Sequence, residues 1–477
     1  MTHRNGYRFI DIEKGRFAQT DRTELKRFFD QLREDGTQGL VVHFHGGLVG
    51  REAAHQSAVR FGRAYAAEGV QSLFFVWNTD LGTTLRKNLP AIASEAVFWT
   101  IVSRVRSVVL WAATDIPTAV AGERRGGAPR PPRFPPNETA ASLRKKASQA
   151  APDIEPRDLT PQQEAVAYEA LEADGSLQRR FAELAPRSGG RARGARSVTH
   201  KRTLMSPEVL SEAFPRSTRG ARALVFAPFL IKRVISAARR VVTRYVKRTH
   251  HGLYTTVVEE VLRAFYAANV GRAVWNAMKN NTVEAFHGPP RTSPGAAFVE
   301  ELLGWWTPEK TVTLVGHSAG SIFIVELLQR LAAAQKQFQA SCVLLAPACT
   351  FERFRLGLPA ARRCLAALRV FNLSDDRERG YWEVRHLYNA SLLYLVSGIL
   401  EEHADEPLIG MQRYYSGRKP YARPQIASVC EFLRPALNWA PATLPPARLC
   451  DAMRHGGFDL DKPTLASLAS IIKDGIR

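Results

Sequence analysis

A β-branched apolar run, Thr311–Val315, passes without a break into Gly316-His317-Ser318-Ala319-Gly320 and then into a helical run, Ser321–Ala332. A short apolar strand that turns at once into an amphipathic helix is the building block of a parallel sheet covered by helices. The pattern recurs along the chain. Gly39-Leu-Val-Val-His-Phe-His45 is a short apolar run closed by Gly46 and Gly47, and a helical stretch follows it. Gln71–Trp77, Cys342–Ala346 and Leu368–Leu373 are further runs of the kind that strands buried on both faces require. Tyr7–Glu13 and Arg16–Gln19 read as a first strand and a short second one. Asp21 or Thr23 can cap a helix running to about Leu32, with Leu25, Phe28, Phe29 and Leu32 on one face. The expected class is α/β with a mostly parallel central sheet.

The strand–helix alternation stops between about Leu81 and Pro290. Pro129–Pro136 is rich in proline and arginine, and Arg187–Arg202 in arginine, glycine and serine; both read as flexible connections. Between them, Thr160-Pro161-Gln162-Gln163 has a cap, a proline at the first helical position and a glutamine to close a capping box. The expected organisation is a core built from residues 1–80 and 291–477, with residues 81–290 as a basic, mainly helical insertion or lid before the Thr311 strand.

Composition matters chiefly through charge. The chain has 66 Lys and Arg against 45 Asp and Glu, a formal charge of +21, which suggests an anionic partner. Most of the excess lies in the insertion: 28 Lys and Arg face 13 Asp and Glu between Ile101 and His250, and none of the residues from Ala213 to Val258 is acidic. Within it, Phe229–Arg248 repeats apolar residues at helical spacing (Leu230, Ile231, Val234, Ile235, Ala238, Val241, Val242, Tyr245, Val246), with Lys232, Arg233, Arg239, Arg240, Arg244, Lys247 and Arg248 between them. Two readings stand: a basic amphipathic helix lying on an anionic membrane surface, or a lid helix whose apolar face packs on the core. Nucleic acid ranks below both, because aromatic side chains to stack bases are sparse there.

Five cysteines, with no C-x-x-C pair, indicate neither a disulfide framework nor a thiolate zinc site, and favour a reducing compartment. The N-terminus has no apolar stretch of the secretory kind. The nearest approach to a spanning segment, Ala96–Ala113, is interrupted by Arg104 and Arg106. The expectation is a cytoplasmic protein, at most peripheral to a membrane.

Gly316-His317-Ser318-Ala319-Gly320 has the form G-x-S-x-G, which holds a serine hydroxyl clear of a sheet on a sharp strand-to-helix turn. Ser318 is therefore the candidate nucleophile. The tetrahedral oxyanion of acyl transfer needs preorganised N–H donors. Ala319, directly after the serine, is one candidate; Gly47 and Leu48, in the glycine-rich turn after the Gly39 strand, are the others. His43 and His45 read as buried structural histidines. His455, in Arg454-His-Gly-Gly-Phe458, is the candidate base, since two glycines let it swing against a serine; His386 and His403 sit in charged stretches. Asp375 is the candidate acid, at the end of the Leu368–Leu373 strand. Asp376 is the alternative, and Glu402, Asp405 and Asp451 are weaker competitors.

Taken together, His45-Gly46-Gly47, the Gly316–Gly320 motif, Asp375 and His455-Gly456-Gly457 resemble the α/β-hydrolase superfamily, whose triad runs Ser, Asp, His in sequence. The resemblance covers about Gly39–Trp77 and Ala297–Leu460. It implies an α/β-hydrolase fold and a serine hydrolase that cleaves a carboxylic ester through an acyl-enzyme, without metal or organic cofactor; the basic insertion points to a lipid ester. A thioesterase, amidase or peptidase with the same triad is an alternative, as is an idle hydrolase fold that binds a membrane or a partner. Two features depart from the family: the long insertion precedes the nucleophile strand, and about 80 residues separate Asp375 from His455. Substrate and oligomeric state are not legible here.

Overall fold

Eight short runs, most of them apolar, pair into one sheet: β1 (Arg8–Glu13), β2 (Arg16–Phe17), β3 (Gly39–Phe44), β4 (Gln71–Trp77), β5 (Thr311–His317), β6 (Ala340–Leu345), β7 (Leu365–Leu373) and β8 (Leu437–Ala440). The computed structural model describes residues 8–47, 50–77, 81–114, 131–135, 139–147, 157–185, 203–214, 227–266, 270–444 and 447–476. The strand order is β2-β1-β4-β3-β5-β6-β7-β8. β2 runs antiparallel to β1, and every other neighbouring pair is parallel. The expected α/β class with a mostly parallel sheet is what is observed. β8 was not legible: its four residues, Leu-Asn-Trp-Ala, lie between Pro435 and Pro441 and are too few for a periodic signal.

Helices cover both faces. On one, Arg51–Ala66 and Lys462–Asp474 set Ala54, Ala58, Phe61, Leu468 and Ile471 against Val41, Phe74, Val315, Val343 and Phe371 of the sheet. On the other lie Arg22–Glu34, Pro294–Trp305, Gly320–Ala333 and Phe351–Cys364. Asp21, not Thr23, caps the first of these, in a reciprocal capping box with Glu24. The Thr160–Gln163 capping box also forms, at the start of Pro161–Glu172.

Between β4 and β5 the described residues form helices and their connections. Arg187–Arg202, predicted as a linker, lies outside the described residues; of Pro129–Pro136, residues 131–135 are described and form neither helix nor strand, with Arg104 over the Phe134 ring and donating to the Pro135 carbonyl at 3.3 Å. The basic segment forms the helix Ala227–Val246, and its apolar face packs inside the fold. Leu230, Ile231, Val234, Ala237, Ala238, Val241 and Val242 are all 0–1% exposed. They lie in the same apolar cluster as Ala96–Thr114, Leu253–Phe265 and the sheet residues Phe44 and Leu314. Much of the helix's basic face is paired as well: Arg240 with Glu260 at 2.8 Å, Arg239 with Glu164 at 3.3 Å, and buried Arg244 with Glu259 at 2.7 Å.

Among the described residues, one helix, Ala96–Thr114, is long and apolar enough to cross a membrane, and 61% of its apolar window is buried by the rest of the chain. Its Arg104 is buried against Asp174 and Ser176. After β7, a short α-helical turn, Leu392–Leu395, is continued by a π-helical turn, Val396–Leu400. A side chain at Gly398 would collide with the Glu259 carboxylate, so the bulge fits around a buried charge.

Candidate active site

Ser318 sits where β5 ends and Gly320–Ala333 begins, with φ +52°. That left-handed conformation is costly for a residue with a side chain and persists only where the surroundings enforce it. Here they do. The Ser318 N–H donates to the Leu345 carbonyl at 2.9 Å, and its carbonyl accepts from the Ala348 N–H at 3.0 Å and the Ser321 hydroxyl at 2.6 Å. The flanking glycines are dictated by contact. A β-carbon at Gly316 would lie 2.7 Å from the Ile324 side chain, and one at Gly320 would overlap the Phe44 carbonyl of β3.

His455 reaches the same point from the loop after β8. Its Nε2 lies 2.9 Å from the Ser318 hydroxyl oxygen, and the ring is buried. The loop is tied back by His317, whose Nε2–H donates to the His455 carbonyl at 3.0 Å. Because Ser318 donates to Nε2, the neutral imidazole carries its proton on Nδ1. That Nδ1 is buried and has no hydrogen-bond partner among the described residues. Burial, with the nearby His317, depresses the His455 pKa to about 3.

The expected acid is not on the base. Asp375 does follow β7, at the start of the short helix Asp375–Arg379. Its carboxylate, however, accepts from the Tyr394 hydroxyl and pairs with Arg413 at 3.4 Å and Arg379 at 3.2 Å. Burial would push this carboxyl up, but the two arginines outweigh it and hold the pKa below the usual value. The alternatives fare no better. The Asp376 side chain is 95% exposed, Glu402 is exposed, Asp451 is an exposed partner of Arg377, and Asp405 is buried against His251 at 3.0 Å. Glu378 lies on the same short helix. It is buried, and burial pushes its carboxyl up to about 8, with Asp375 and Glu383 adding to the effect. Of the groups that hold Asp375, Arg379 is four residues on along the same helix, whereas Tyr394 and Arg413 come from other segments.

The oxyanion turn is half described. Gly47 lies against the residue that follows Ser318: a β-carbon there would come 2.7 Å from the Ala319 β-carbon. Gly47 and Ala319 are thus side by side, as two donors to one oxygen require. Leu48 lies outside the described residues. His43 and His45 are structural, as the sequence suggested: His43 bonds the Tyr65 hydroxyl at 2.8 Å, and His45 spans the Gly46 carbonyl and the Trp77 N–H while stacking on Trp77. His386 and His403 are exposed.

Ser318 and His455 open into a cavity of about 560 Å³. Leu85, Leu89 and Pro90 of the first inserted helix, Leu81–Ala93, form one wall, and Val384, Leu392 and Leu395 another. Arg60, Arg86, Arg385 and Arg454 also line it, with Glu383 and Asp459. Among the described residues no group of three His, Cys, Asp or Glu side chains is arranged to hold a metal ion.

The Asp375 network makes a prediction. Asp375→Asn should lower unfolding stability by about 1–3 kcal/mol, because buried Arg413 loses a charged partner. It should change kcat by less than about tenfold, far below the roughly 10⁴-fold loss that follows when a triad acid is neutralised. Denaturant unfolding and steady-state kinetics measure both; a loss of several orders in kcat with the fold intact would return Asp375 to the base. Comparisons with protein-family models, curated proteins and solved structures gave no match to this chain.

Proposed function

We propose that the chain is a serine hydrolase of the α/β-hydrolase type that cleaves a carboxylic ester through an acyl-enzyme. The observation that carries the reading is the 2.9 Å contact between the Ser318 hydroxyl and His455 Nε2, with the serine held at positive φ on a strand-to-helix turn. The sheet order supports it: the nucleophile follows β5, next to the centre, and the base follows β8 at the edge.

Ser318 attacks the ester carbonyl as His455 takes its proton at Nε2. The amides of Ala319 and Gly47 stabilise the oxyanion. His455 then returns the proton to the departing alkoxide, and water releases the acid by the same steps in reverse. An ester suits this site better than an amide. The imidazolium formed at His455 has no carboxylate on Nδ1 to stabilise it, and an alkoxide leaves with less protonation than an amine. The same unpartnered Nδ1 favours a second reading, an idle hydrolase fold that binds without turnover.

Labelling with a fluorophosphonate probe separates the two. The expected product is a single adduct on the peptide containing Ser318, accompanied by hydrolysis of 4-nitrophenyl esters. No adduct, or one on another serine, would sink the hydrolase reading.

A further inference from the structure

The wall of the cavity carries two chemistries. Leu85, Leu89, Leu392 and Leu395 offer an apolar surface beside the reacting pair. Arg60, Arg86, Arg385 and Arg454 add four positive charges against the two carboxylates Glu383 and Asp459. Asp459 accepts from Arg60 Nε at 2.8 Å. Glu383 accepts the Leu392 N–H at 3.1 Å. Arg86 and Arg385 are exposed and have no ion-pair partner among the described residues. They come from different parts of the chain, Arg86 from the inserted helix and Arg385 from the segment after β7, yet line one cavity.

Resting on the reading of Ser318 and His455 as the reacting pair, we infer that the substrate is an anionic amphiphile: an ester with a medium or long apolar chain and a phosphate or carboxylate group held by Arg86 and Arg385. The leucines take the chain, and the guanidinium groups take the charged group, for which their planar N–H forks are suited. The excess positive charge at the mouth also draws an anion toward Ser318 before contact.

Binding of octyl phosphate and of octan-1-ol, followed by titration calorimetry, tests the charge preference without turnover. The phosphate should bind at least about tenfold more tightly at low salt, since partly exposed charge pairs each contribute up to about 1 kcal/mol. Arg86→Gln with Arg385→Gln should bring the two ligands within about threefold of each other, and Lys336→Gln with Arg363→Gln, elsewhere on the surface, should leave the preference intact. High salt should reduce it in the wild type. A kinetic arm compares mono-4-nitrophenyl octanedioate with 4-nitrophenyl octanoate, and octanoyl glycerol 3-phosphate with octanoyl glycerol. A lower KM for the anionic member of either pair, lost in the double arginine variant, supports the inference. Equal binding of octyl phosphate and octanol overturns it, even if Ser318 is labelled and neutral esters are cleaved. If Ser318 is neither labelled nor active, the hydrolase reading fails, while the calorimetry still decides whether the cavity selects anions.

Discussion

His455→Gln is expected to lower kcat for ester hydrolysis by about 10⁴- to 10⁶-fold with the fold retained, because a serine without its base attacks hardly better than water. The single close contact between Nε2 and the Ser318 hydroxyl is what disappears. The wild-type pH profile carries a second signature. The reaction needs neutral imidazole, and burial holds the His455 pKa at about 3. The acid limb of kcat/KM should therefore lie well below the ordinary histidine value of about 6.5. A limb between 6.5 and 7 would mean that a carboxylate reaches Nδ1 during turnover. The linkage runs in the same direction. A folded-state pKa below the unfolded one favours the native state fully above pH 6.5, and this contribution is lost as pH falls from there toward 3.

The largest expected effect on stability lies away from the site. Buried Glu259 accepts from Arg244 at 2.7 Å, from His251 at 2.7 Å and from the Tyr388 hydroxyl at 2.5 Å. Burial alone would raise its pKa, but His251 and Arg244 outweigh that and hold it at about 2. Glu259→Gln leaves Arg244 and His251 inside the fold without their main counter-charge, which costs about 3–5 kcal/mol in comparable buried pairs. The first unfolding transition in urea should shift accordingly. Glu164→Gln, which removes the partner of exposed Arg239, should change stability by less than about 0.5 kcal/mol. Similar shifts for both variants would show that the buried cluster is not the keystone described here.

Local signals in the sequence survived best. The Asp21 and Thr160 caps and the β5–Ser318–helix junction each depend on residues within a few positions of one another. The Ser318–His455 pairing was legible across 137 positions only because both lie in glycine-flanked turns. The acid was not legible, because the fate of Asp375 is decided by Tyr394 and Arg413, which reach it from other segments. The helix Ala227–Val246 shows a second limit. Apolar periodicity reports that a face is covered, not whether protein or lipid covers it.

β4 and β5 both border β3. Two strands that share a neighbour stand roughly 10 Å apart, at about 4.8 Å per step across a sheet. The long excursion between them thus leaves and re-enters the scaffold through almost the same doorway. The connections within it can change in length over generations without shifting the register of the strands beneath it, while its helices Ala96–Thr114, Ala227–Val246 and Leu253–Phe265 stay bound into the apolar core. Its first helix nevertheless supplies Leu85, Arg86 and Leu89 to the chamber above Ser318. A lineage carrying this arrangement can therefore change what the chamber admits by rewriting one segment, while Ser318 and His455 stay where they are.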